Sequence, residues 1–170
     1  MPHPDSEALA PGELFAADLA AWAEAQARVL REQRLDALDF DHLSGIVNDL
    51  AVERMGELEA RLGVILTGLL RWGEQVDLRG HSWAATIDIQ RHRVERILAE
   101  SPSLRPIVPS LIAAAYPSAK ARAVLESALF DDSFPESCPF TEDEILRDGF
   151  FPDPYGDDAI RGEGWWKRRS

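Results

Sequence analysis

Four side chains of the kinds that bind metals or move protons lie in helical stretches of the sequence: His42, His81, Asp88 and His92. Asp88 and His92 are four residues apart, so on a helix they share one face and can pair. A metal site needs a third ligand from another element, and the spacing along the chain does not supply one. We expect a surface ion pair here. Metal binding, or catalysis by His, Asp and Glu residues between helices, stays the alternative.

Nucleophilic and cofactor chemistry have little support in the sequence. The one cysteine, Cys138, lies between Ser137 and Pro139 with no adjacent base, so we expect a packing residue. The chain has no Gly-x-Ser-x-Gly motif, no phosphate-binding loop and no dinucleotide fingerprint. We therefore expect no cofactor, and we expect that the chain is not an enzyme.

Two adjacent tryptophans, Trp165 and Trp166, stand in a polar C-terminal segment beside Lys167. An exposed aromatic pair next to cations can dock a partner protein or a second copy of the chain. The other interpretation is that the segment packs against its own bundle. The sequence leaves both interpretations open.

The charge balance narrows the classes of partner. The net charge of −12 opposes binding to phosphate backbones and anionic lipid, even though Arg91, Arg93 and Arg96 lie close together. No apolar run approaches the length of a membrane span, and no signal peptide is visible. With one cysteine and no possible internal disulfide, we expect a cytoplasmic protein that binds neither nucleic acid nor membrane.

Helical periodicity organises the chain. We predict a first helix from Leu14 to about residue 34 and a long helix over about residues 40–72, capped by Asp39. The apolar stripe predicted to be buried along the long helix is Leu43, Val47, Leu50, Leu58, Leu62, Ile65, Leu69 and Trp72.

Three glycines inside the long helix, Gly45, Gly56 and Gly63, predict a close approach of another helix or a bend. A further helix begins near Ser82. Prolines break the fourth segment into two predicted pieces, 107–115 and 118–129. Thr141 and Glu144 form a predicted capping box.

These elements predict an all-α, up-and-down helical bundle built on one long central helix, with a proline-broken fourth segment and an irregular C-terminal tail. We expect a disordered or extended arm over 1–12, the bundle over 13–152 and the tail over 153–170. Residues 131–158 carry ten acids against Arg147 alone. We expect ordinary solvated faces; folding of this acidic part back onto the arginines of 71–105 is the alternative.

Several blocks of the sequence form a recognisable set together with Asp18 and Trp22. The blocks are LREQRLDALDFDHL at 30–43, LLRW at 69–72, HSWAATIDIQRHRVERIL at 81–98, ESPSLRP at 100–106, FPESCPFTEDEIL at 134–146 and FFP at 150–152. Together they resemble one bacterial family, domain of unknown function 29. The resemblance covers about residues 14–152, and it implies a helical bundle without naming catalytic residues. The resembling family commonly has acids where the chain has Gly45 and Ile46, which argues further against a carboxylate metal site.

The sequence thus predicts a non-enzymatic protein-interaction or regulatory module. Helical stripes are abundant, whereas the catalytic motifs are missing from the sequence. A helix face, or the Trp165–Trp166 pair, would bind a protein partner or a second copy of the chain.

Overall fold

A computed structural model describes residues 9–168 of the chain, and within that range it contains helices and no strand. The prediction of an all-α fold is therefore confirmed. No helix of this range is both long enough and apolar enough to cross a bilayer. The α-helices are α1 (Pro11–Ala17), α2 (Leu19–Arg31), α3 (Phe40–Glu74), α4 (His81–Glu100), α5 (Val108–Ser127), α6 (Glu142–Leu146) and α7 (Asp157–Arg161).

Short 3-10 helices make most of the connections. They span Leu35–Ala37, Val76–Leu78, Pro102–Ile107, Asp131–Ser133 and Trp165–Arg168. The chain divides into two compact units, Met1–Glu53 and Arg54–Ser170, which are called the first and the second unit below. The long helix α3 begins in the first unit and ends in the second, and it matches the predicted long central helix closely.

The first unit consists of α1, α2 and the beginning of α3. The predicted single first helix is wrong, because Asp18 interrupts it in an extended conformation with φ −153° and ψ 93°. The Asp18 carboxylate accepts a 2.9 Å hydrogen bond from the backbone N–H of Ala21 and so caps α2. Most of the predicted N-terminal arm lies outside the described residues, and α1 begins at Pro11.

The second unit contains the hydrophobic core. Leu62 and Ile65 of α3 are fully buried, as are Val94 of α4 and Val108 of α5. The close helix approach occurs at Gly68, where a Cβ would lie 2.7 Å from Ile87 Cγ1. A Cβ added at Gly45 or Gly56 would meet no atom of the described residues within 4 Å, so the prediction of a close approach is wrong at these two glycines.

The fourth segment is not broken into the two predicted pieces. Residues Pro102–Ile107 form a 3-10 helix, but α5 then continues through Pro117 as one helix. The expected break at Pro117 is therefore wrong. Pro117 removes the hydrogen bond to the carbonyl of Ala113, and because Ala113 is exposed, water can satisfy that carbonyl.

The predicted capping box at the start of α6 is confirmed. The backbone N–H of Thr141 donates to Glu144 Oε2 at 2.9 Å, and the N–H of Glu144 donates to Thr141 Oγ1 at 3.3 Å. Beyond α6 the expected irregular tail contains short helical pieces, α7 and the 3-10 helix Trp165–Arg168.

Candidate functional site

The apolar stripe of α3 changes its surroundings along the helix. Leu58 and Leu62, in the second unit, are fully buried. In the first unit, Val47 is 64% exposed and Leu50 is 62% exposed, so the prediction that these two residues are buried is wrong. Leu43 is half-buried, and Phe40, one step earlier, is 61% exposed. We call Phe40, Leu43, Val47 and Leu50 the α3 stripe.

Hydrophobic side chains are largely exposed throughout the described part of the first unit, and not only on the α3 stripe. Among residues 9–53, Trp22 is the one buried hydrophobic residue, whereas the described part of the second unit buries 22. Eight large hydrophobic side chains are exposed in this part of the first unit, against six in the described part of the second, which is more than twice as long. The eight are Leu9, Leu19, Leu30, Leu35, Phe40, Val47, Leu50 and Val52.

A polar cluster fixes the beginning of α3 against α2. The indole N–H of Trp22 donates to Asp39 Oδ2 at 3.1 Å, and the backbone N–H of Asp39 donates to Gln26 Oε1 at 2.9 Å. The backbone N–H of His42 donates to Asp39 Oδ1 at 3.3 Å, which confirms Asp39 as the predicted cap of α3.

The His42 ring belongs to the same cluster. Its Nδ1 lies 2.8 Å from Asp39 Oδ2, and its ring stacks on Phe15 of α1 with the ring centroids 4.0 Å apart. Burial opposes the ionisation of Asp39, but the hydrogen bonds from His42 and Trp22 outweigh it and lower the pKa of this carboxyl. An ionised carboxylate only accepts hydrogen bonds, so Nδ1 of His42 carries the proton.

A histidine oriented by a carboxylate is the arrangement found in general bases and in metal ligands. A general base needs a nucleophile to deprotonate, whereas a metal site needs two further ligands. Within residues 9–168, no hydroxyl or thiol hydrogen-bonds to His42, and no three His, Cys, Asp or Glu side chains are grouped as a metal site. The cluster therefore joins α1, α2 and α3, and it holds the start of the α3 stripe in place.

The other three polar candidates share one surface groove of about 430 Å³. His81, Asp88 and His92 line it from α4, together with Trp166 and Lys167. His81 and His92 are eleven residues apart, which is about 16 Å along a helix, so they cannot bind one ion together. Asp88 accepts a 2.8 Å hydrogen bond from the Arg91 guanidinium, and His92 Nε2 lies 3.3 Å from Asp148.

The two C-terminal tryptophans pack inside the second unit. Trp165 and Trp166 are each 7% exposed. The Trp166 ring lies edge-on to Trp72, with the centroids 4.9 Å apart, and it also contacts Phe151 at 5.3 Å. Their surfaces are thus largely occupied by other side chains of the same chain.

Two buried arginines, which the sequence did not single out as structural, hold the C-terminal segment. Arg91 donates to the carbonyls of Ile145 and Phe150 at 2.9 and 2.8 Å, and Arg79 donates to Asp153 at 3.1 Å. The acidic part of the chain therefore folds back onto arginines, in favour of the second interpretation of the charge pattern. Arg91 is 2% exposed, which removes it from any nucleic-acid surface.

The spacing of α4 contained a signal for Arg91. Ile87, Arg91, Val94 and Leu98 follow at steps of four, three and four residues, so Arg91 occupies a position of the buried stripe. A charged residue at such a position predicts a buried side chain with several acceptors. Nothing comparable in the sequence marks the exposure of Val47 and Leu50, because their spacing is that of a buried stripe.

Comparison with known proteins identifies the family. Neither a curated protein nor a solved structure matches the chain. One family model, described as domain of unknown function DUF29, matches residues 14–151, which is most of the chain and includes the α3 stripe and the contacts of Arg91 with Ile145 and Phe150. The predicted resemblance is thereby confirmed, and the chain belongs to the family of domain of unknown function DUF29.

Proposed function

We propose that the chain is a non-catalytic protein-interaction module that binds another polypeptide through the α3 stripe. One observation carries this proposal: within residues 9–53, the first unit buries a single hydrophobic residue and exposes eight large ones. Burying a Leu, Val or Phe side chain is worth roughly 1.5–3 kcal/mol. A second polypeptide over the stripe would recover this free energy.

The stripe is displayed on a helix that does not depend on that partner. α3 is one continuous helix of 35 residues, and the residues that follow Arg54 are anchored in the core of the second unit. Asp39 caps its beginning, and the contacts with Trp22 and His42 hold that beginning against α1 and α2. An exposed apolar helix face is the kind of surface that helical partners bind.

The test is photo-crosslinking in cells that make the full-length protein. A benzophenone amino acid replaces Val47 on the stripe or, in the control, Val52. Val52 is also exposed, at 52%, but it lies on the opposite side of α3 by helical rotation. We expect irradiation to link the chain covalently to another polypeptide from position 47 and not from position 52. Equal adducts from both positions, or none from position 47, would overturn the proposal.

A further inference from the structure

The α3 stripe has a spacing that reads the same in both directions along the helix. Its members follow at steps of three, four and three residues. At about 100° per residue, these steps keep all four side chains within about 40° of one direction. A two-fold axis beside the middle of the stripe therefore places Phe40 opposite Leu50, and Leu43 opposite Val47.

We propose that the α3 stripe binds the α3 stripe of a second copy of the chain, with the two helices antiparallel. This inference rests on the proposed function and names its partner. Phe40 of each copy packs beside Leu50 of the other, and Leu43 beside Val47. Such an interface is isologous, because both copies use the same surface, and it closes after two chains.

The placement of charge favours this partner. Residues 40–53 contain three acids, Asp41, Asp49 and Glu53, and no Lys or Arg. By helical rotation, each acid points at least about 100° away from the direction of the stripe. Two stripes can therefore meet without bringing carboxylates face to face, whereas a basic helix of another protein would find no acid beside the stripe to pair with.

The residues around the stripe also permit this contact. Ser44 and Ala51 lie along one edge of the stripe, and both are small and uncharged, so a second helix can approach closely. Arg54 occupies the next position along the stripe, and its guanidinium is paired with Glu57 and Glu100. The contact therefore ends at a neutralised side chain rather than at an unpaired cation.

The size of the surface sets the expected affinity. Four side chains from each copy make an interface smaller than the standard of about 800 Å² per partner, so we expect a dissociation constant on the order of micromolar. Because the contact is apolar and the whole chain carries −12, added salt screens the repulsion between the copies. The dimer should therefore strengthen, and not weaken, as salt is raised.

Light scattering on the purified full-length chain tests the identity of the partner. We expect the mass to rise from one chain to two between about 0.1 and 100 μM. Val47→Glu should raise the dissociation constant at least about 100-fold, because it buries an unpaired carboxylate in each copy. Val52→Glu adds the same charge to the opposite side of α3 and should change it less than about threefold.

Cysteine crosslinking tests the antiparallel register, in a Cys138→Ser background. The Cα atoms of a disulfide lie within about 7 Å of each other, whereas the two copies of residue 40 are expected about 15 Å apart. Mixing Phe40→Cys with Leu50→Cys should therefore give a disulfide-linked dimer, and neither variant should give one alone. Crosslinking of each variant with itself would overturn the antiparallel arrangement.

The experiments separate failure of this inference from failure of the proposed function. A strict monomer at every concentration, together with an adduct of another mass from position 47, would overturn the second copy as partner and leave the interaction function standing. Equal weakening by Val47→Glu and Val52→Glu would place the contact elsewhere and overturn the inference. A monomer with no adduct from position 47 would overturn both.

Discussion

The first and second units use one long helix in two different ways. In residues 54–168, the apolar face of α3 lies in a core to which α4 and α5 contribute, and Leu62 is fully buried. In residues 9–53, the same three- and four-residue spacing continues, but Val47 and Leu50 are mostly exposed. The sequence pattern is shared, so the difference lies in whether other helices of the chain cover it.

The two units are also held by different kinds of interaction. The second unit combines its core with two buried arginines: Arg91 donates to the carbonyl of Ile145, and Arg79 donates to the carbonyl of Trp72 and to the Asp153 carboxylate. The first unit depends on a few hydrogen bonds and ring contacts around Asp39, Trp22 and His42. A unit with so little buried apolar surface gains little stability from its own packing. An apolar stripe in a sequence therefore predicts that its side chains are buried, but it does not say whether the same chain or another chain buries them.

The largest expected difference comes from truncating equivalent leucines in the two units. Leu62→Ala should lower the free energy of unfolding by about 2–5 kcal/mol, because it opens a cavity in the core. Leu50→Ala should lower it by less than about 0.5 kcal/mol in dilute protein, where the side chain is solvated. Urea unfolding at low concentration measures both. Similar losses of stability in the two variants would contradict the difference in burial between Leu62 and Leu50.

The buried Arg91 of the second unit should contribute more to stability than the exposed Arg93 of the same helix. Arg91→Met should cost about 3 kcal/mol, because the carbonyls of Ile145 and Phe150 lose their donor inside the protein. Arg93→Met, on the exposed side of the same helix, should cost little. Thermal or urea unfolding of the pair checks this, and equal stability of the two variants would speak against a structural role for Arg91.

Substitution of two glycines of α3 by alanine should change the free energy of unfolding in opposite directions. Gly68→Ala places a Cβ 2.7 Å from Ile87 and should cost about 1–3 kcal/mol. Gly45→Ala meets no atom of residues 9–168 within 4 Å and should stabilise the helix by about 0.5–1 kcal/mol. Urea unfolding compares the two with the unchanged chain. A destabilising Gly45→Ala would mean that this side of the helix is not free.

The smallest expected effect is a loss of stability of the first unit at low pH. The pKa of Asp39 lies below its usual value of 3.8, because hydrogen bonds from His42 and Trp22 outweigh burial. The ionised carboxylate therefore stabilises the fold above that value, and this contribution is lost as the pH falls through the folded-state pKa. The indole N–H resonance of Trp22 should report the loss as the pH falls below the usual pKa of an aspartate. Asp39→Asn should remove this transition, and its persistence would assign it to another group.

The sequence predicted the parts of the fold that depend on local pattern. The sequence predicts Asp39 and Thr141 as helix caps, because a capping side chain accepts a hydrogen bond from a backbone N–H only three residues further along the chain. Pro117 was misjudged, since tolerance of a proline inside a helix depends on whether the freed carbonyl faces water. The joint groove of His81, Asp88, His92 and Trp166 could not be predicted, because it depends on where the C-terminal segment packs.

The claim that a second chain covers the exposed half of α3 can be checked by hydrogen–deuterium exchange at two protein concentrations. The two halves of one helix then serve as test and control. We predict that amides of residues 43–52 exchange more slowly at 100 μM than at 0.1 μM, whereas amides of residues 58–72 exchange at the same rate. Exchange in residues 43–52 that does not change with concentration would contradict the claim.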